Sequence, residues 1–203
     1  MPRPSDYPKS CSRIDIDKAR QIVRSFAEKH ELTDALPALD EVRGYIFTDQ
    51  RALCRYLTDQ EHELGPFPPG LIATTIENRI LIVSQDEVRR LRPEFIRIKN
   101  GWHKIIAHEM THILHLTLVD GDSDALGPEW FFEGLACFAA QQTFDISFET
   151  ETPQQVLEAV QQRDRQRYGR YEAAIRYFCR RRSLREMIDR AKHPKFEEWL
   201  LTG

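Results

Sequence analysis

The sequence predicts an α+β domain with its strands early and its helices late. Three observations carry that expectation: the β-rich runs lie before residue 85, helical periodicity follows Pro93 almost to the end, and no repeat period or low-complexity linker intervenes. A chain of 203 residues with 41% apolar content is long enough to bury a core as one domain.

The elements follow in order. Asp17 to His30 places Ile22, Val23, Phe26 and Ala27 at helical spacing, with Ser12 and Asp15 available as caps, and Leu36-Pro37-Ala38 ends it. Val42 to Thr48 reads as a strand, and Asp49 can cap a short helix carrying Leu53, Tyr56 and Leu57. That helix runs out at Gly65-Pro66-Phe67-Pro68-Pro69-Gly70. Leu71 to Ile76 and Arg79 to Ser84 form a hairpin about Glu77-Asn78, the more polar first run at the sheet edge and Ile80 to Val83 inside. Helices are then expected over about 100–119, 128–144, 153–167, 171–182 and 184–192.

Charge and cysteines narrow the class. Lys and Arg number 29 against 32 Asp and Glu, a net charge of −3, which argues against a dedicated nucleic-acid protein. The distribution is dipolar: nine acidic residues and no Lys or Arg between Thr117 and Val160, then twelve basic and six acidic residues from Gln161 onward. Arg163, Arg165, Arg167, Arg170 and Arg180-Arg181-Arg182 could line a phosphate path, but helix faces in solvent account for them more simply. Cysteines 11, 54, 137 and 179 lack both zinc-knuckle spacing and disulfide density, and read as free thiols. No apolar run approaches the ~20 residues of a membrane span, and Met1 to Asp6 lacks a secretory apolar segment, so a cytoplasmic protein is expected.

The informative segment is His108-Glu109-Met110-Thr111-His112 within an apolar helical pattern. A spacing of four puts both imidazoles on one helix face, where they can hold one Zn²⁺, with Glu109 beside the open position as a base. Ile105, Ile106, Ala107, Ile113 and Leu114 would bury this helix, so polar groups at its centre need partners. A third ligand is required from elsewhere, and Glu133, in the apolar run Trp130-Phe131-Phe132-Glu133-Gly134-Leu135-Ala136, is preferred over Glu129, which sits at a helix start where the dipole already accounts for its charge.

H-E-x-x-H followed by W-F-F-E-G-L-A resembles the gluzincin branch of the zincin metallopeptidases, over roughly residues 70 to 200. The resemblance implies one zincin-like catalytic domain over 1–203: an N-terminal helical extension (1–41), a mixed sheet and H-E-x-x-H helix (42–125), and a helical part with the third ligand (126–203). It implies one zinc held by His108, His112 and Glu133, and a peptide or protein substrate hydrolysed with Glu109 as general base. Tyr171 would donate a hydrogen bond to the oxyanion, with Tyr168, beyond a helix-breaking Gly169, as runner-up and Tyr177 deeper in an apolar stripe. The substrate would pair with the edge strand at Ile72, Ala73 and Thr74.

The chain also departs from the pattern. No G-x-M-E-N segment grips a free amine, and Cys137 stands where thermolysin-like enzymes place an aspartate, so the groups behind the zinc ligands are expected to differ. His115 fits poorly as a ligand and His103 reads as surface. Asp120-Gly121-Asp122-Ser123-Asp124 opens like a calcium loop but lacks its Gly and Glu, and reads as a polar loop that could rim the cleft and favour basic substrates. Two alternatives differ in kind: a zinc-stabilised module presenting its arginines to nucleic acid or an acidic partner, and a latent peptidase whose cleft is blocked by its own tail, Phe196 to Leu201, or by a partner.

Overall fold

Ser12 begins the first helix: its side chain accepts the Asp15 N–H at 3.1 Å, and α1 (Arg13–Lys29) buries Ile16, Ala19, Val23, Phe26 and Ala27 along one stripe. The computed structural model describes residues 8–63, 65–142, 144–164 and 166–202; Met1 to Asp6, read above for a leader, and Arg165 lie outside them. A 3-10 segment, Thr33–Glu41, leads into the sheet.

The sheet has four short strands, β1 (Lys9–Ser10), β2 (Arg43–Phe47), β3 (Ala73–Ile76) and β4 (Arg79–Val83), in the order β1-β2-β4-β3. β2 and β4 are parallel and the two outer pairings antiparallel. Between β2 and β3, Asp49 caps α2 (Gln50–Gln60) by accepting the Ala52 N–H at 2.9 Å. The hairpin turns at Glu77, whose φ of 54° is left-handed. Ile80 to Val83 are wholly buried in the centre and β3 is the edge, as the contrast in polarity suggested.

The helical half was anticipated in outline and differs in its boundaries. Three helices were not foreseen: α3 (Gln85–Leu91), capped by Ser84, α4 (Pro93–Arg97), and one beyond residue 192 at the end of the chain. Then α5 (Gly101–Leu118) carries the H-E-x-x-H motif. α6 (Glu129–Ala139) ends well before Phe144, because Gln141 turns left-handed and the Gln142 N–H closes onto the Cys137 carbonyl at 2.9 Å. α7 (Pro153–Val160) stops short of Arg167, and the chain after it is tied down by Arg170, which donates to the Gln162 carbonyl and to Asp164. α8 (Arg167–Phe178) starts four residues earlier than expected, and α9 (Leu184–Arg190) and α10 (Phe196–Leu201) complete the chain.

Gly169 therefore does not break a helix. It lies inside α8, where a Cβ would come within 2.9 Å of Ile146 Cδ1 and 3.0 Å of Phe144 Cβ; the glycine lets α8 lie against that segment. Gly134 does the same between helices: a Cβ there would fall 2.6 Å from the Tyr171 carbonyl oxygen. α5 packs against α1, α6 and β3, so the motif helix lies between the sheet edge and the helical half. All four cysteines are free thiols, and no described helix is long and apolar enough to cross a membrane.

Candidate metal centre

His108 and His112 project from the same face of α5 with ring centroids 5.0 Å apart and planes at 82°. Glu133 reaches them from α6: its Oε2 lies 3.2 Å from His108 Nε2 and 4.0 Å from His112 Nε2. One ligand atom from each of the three lies within 4.8 Å of the others, so the group could hold a metal ion. Glu129, the competing carboxylate, instead pairs with Arg167 at 3.4 Å and is not in the cluster.

Charge in this group is mutually supported. Burial disfavours a charged His108, yet the neighbouring Cys137 and Glu133 outweigh it and hold His108 well above its ordinary value. Of the two, Glu133 carries the charge at neutral pH, because burial pushes the Cys137 thiol up. Burial would raise Glu133, but the His108 hydrogen bond and charge bring it below the usual carboxylate range. His112, buried beside a cationic His108, is pushed down to about 4.

Glu109 faces the same space. Burial pushes its carboxyl up, and Thr75 on β3 opposes that, its hydroxyl lying 2.9 Å from Glu109 Oε2 and 3.1 Å from the Glu109 carbonyl oxygen. Thr75 was missed by sequence reasoning; the edge-strand expectation, carried one residue further, contained it. A cleft of about 940 Å³ opens here, lined by His108, Glu109, His112 and Glu133 and, along the edge strand, by Ile72, Ala73 and Thr74.

The tyrosines are placed differently from expectation. Tyr171 is 3% exposed and is not on the cleft wall, whereas Tyr168 is. The reason is the uninterrupted α8: with Gly169 helical, Tyr168 turns toward the cleft while the Tyr171 backbone packs on Gly134. Arg167 lies 5.0 Å over the Tyr168 ring. Tyr177 donates to the Glu151 carbonyl at 2.9 Å, a packing role.

His103 is not a surface residue: its Nε2 meets Asp15 at 2.9 Å and joins α5 to α1. His115 is buried, neither ring nitrogen has a hydrogen-bond partner among the described residues, and burial pushes it down to about 3, so it stays neutral. In the acidic loop Asp122 accepts the Asp124 N–H, and Ser123 and Leu126 reach the cleft wall. The plugging tail is overturned: no described residue of α10 lines the cleft, and α10 instead packs behind α6, with Phe196 stacked 6.0 Å from Trp130 and Glu197 accepting the Trp130 Nε1–H at 2.8 Å. No protein-family profile, no curated protein and no solved structure matches this chain.

Proposed function

We propose that the chain is a zinc-dependent peptidase with a zincin-like arrangement of the gluzincin type. The observation that carries the reading is the convergence of His108, His112 and Glu133 on one point in a cleft whose wall also holds Glu109. The donors suit zinc: ligands about 2.0–2.1 Å from a tetrahedral ion lie roughly 3.3 Å from one another, the scale of the 3.2 and 4.0 Å separations here. Two imidazoles and one carboxylate also leave a position free, as a hydrolytic site needs.

His108, His112 and Glu133 would hold the ion, which supplies Lewis acidity toward a carbonyl and toward water. Glu109 then acts with its own carboxylate: it takes a proton from the attacking water and delivers it to the leaving amine nitrogen. Thr75 keeps that carboxylate turned toward the cleft. Tyr168, on the cleft wall, is the hydroxyl we assign to the carbonyl oxygen as charge develops there, in place of Tyr171. β3 is the sheet edge, so an extended peptide adds to the sheet there through the outward backbone groups of Ala73; the Ile72 carbonyl, expected to join it, is already taken by the Val83 N–H of β4 at 2.9 Å.

The test is mass-spectrometric profiling of a mixed peptide library with the zinc-loaded chain, a Glu109→Gln variant and a chelator control. Cleavage by wild type alone supports the reading and reports specificity from the product ends. A zinc-loaded wild type that leaves every peptide intact overturns it.

A further inference from the structure

The His108 ring is met at both edges. Nε2 faces Glu133 Oε2 at 3.2 Å, and Nδ1 faces Cys137 Sγ at 3.7 Å. Cys137 stands one helical turn after Glu133 on α6 and is 1% exposed, so no water competes for the contact. An imidazole that offers one nitrogen to a metal carries its proton on the other, and the group that accepts this proton decides which nitrogen is which. Among the described residues no other group hydrogen-bonds Nδ1.

We infer that Cys137 is a positioning residue of the metal centre: its sulfur accepts the Nδ1 proton of His108 and so turns Nε2 toward Glu133 and the ion. A thiol suits the charge count. Glu109 and Glu133 together balance a divalent cation, and Glu172, buried at 2% exposure, is already paired with Arg176 at 3.0 Å. A further carboxylate at 137 would add a buried negative charge with no cation left to balance it, whereas a neutral sulfur orients the ring and adds none. Arg176 also donates to the Ile146 carbonyl at 2.8 Å, which fixes this side of α8 to the cleft wall.

The inference rests on the metal reading above but is tested without peptide cleavage. Zinc dissociation constants are measured by chelator competition for the full chain and for Cys137→Ala and Cys137→Ser, with thermal melts to establish folding. Cys137→Ala is expected to weaken zinc binding roughly 10- to 100-fold, and Cys137→Ser, which returns an acceptor, to recover part of the loss. Long-range proton–nitrogen correlation spectra of the zinc-loaded wild type are expected to show His108 protonated at Nδ1. Zinc binding by Cys137→Ala within twofold of wild type overturns the inference, as does a His108 that carries no proton on Nδ1. If Cys137→Ala does not fold, the wild-type spectrum decides alone. A wild type that cleaves nothing, yet loses zinc affinity on Cys137→Ala, upholds this inference while the peptidase reading falls; a wild type that binds no zinc removes both.

Discussion

Glu109 combines burial, which pushes its carboxyl up, with a hydroxyl from Thr75 that steadies the charged form. Replacing it with glutamine keeps shape and removes basicity. On the proposed peptidase reading Glu109→Gln should lower kcat at least about a hundredfold, the usual contribution of a general base, with zinc content by elemental analysis unchanged. Thr75→Val deletes one hydrogen bond of about 1 kcal/mol, so kcat should fall about fivefold with KM nearly constant. Thr75→Ser should restore it. At this scale His108, Glu109, His112 and Glu133 were legible, because chemistry-bearing residues stand out in an apolar helical pattern. Thr75 was not, since a threonine in a strand looks the same whether or not it touches a carboxylate three dozen residues away.

Helices α6 and α8 touch at Gly134, and that contact places both Glu133 and the Tyr168 face of α8. A methyl at 134 would meet a backbone oxygen, which cannot move aside as a side chain can. Gly134→Ala should therefore cost about 1–3 kcal/mol, a fall in Tm of about 2–12 °C, and zinc affinity should weaken along with it. Calorimetry and chelator competition on the same variant check both. The elements themselves were read well where caps and periodicity agreed, as in α1, α2 and the β3–β4 hairpin. They were read poorly where a glycine served packing: Gly169 looks in sequence like a stop, and only Phe144 and Ile146 beside it explain why it is not.

Over the whole molecule, metal and acid are the levers. If zinc joins α5 to α6, saturation at a hundredfold above Kd should stabilise the fold by about 2.7 kcal/mol, or about 5–11 °C in Tm. Chelation should remove that increment from wild type and leave His112→Ala unchanged. Several carboxylates sit below their ordinary range in the folded chain: Glu61 through its hydrogen bonds with Arg79, and Asp34 through Arg185. A depressed folded value means stability that is complete above the ordinary value and lost as pH falls through the folded one. Buried His112 and His115, held neutral down to about 4 and about 3, add a loss that begins where the unfolded imidazoles take up protons, so Tm should decline below about pH 6.5 and more steeply below about pH 4, with a shallower final fall in Glu61→Gln. The basic C-terminal part is partly committed to structure: Arg185 pairs with Asp34, Arg170 with Asp164, and Arg182 and Arg190 lie 4.4 and 4.8 Å from the Trp199 ring.

By itself the amino-acid sequence determined the broad class of the fold, the His and Glu residues that could hold a metal ion and their order, and the glutamate we propose as base beside them. These are local properties: an i, i+4 pair shares a helix face whatever surrounds it, and a hairpin with one polar and one continuously apolar run declares its inner strand. Tertiary structure alone decided which tyrosine lines the cleft, that Thr75 meets Glu109, that Cys137 lies behind His108, and that the tail folds away from the cleft. Each of these is a meeting of residues far apart in the chain, set by how closely two elements can approach, and no spacing along one element encodes that distance.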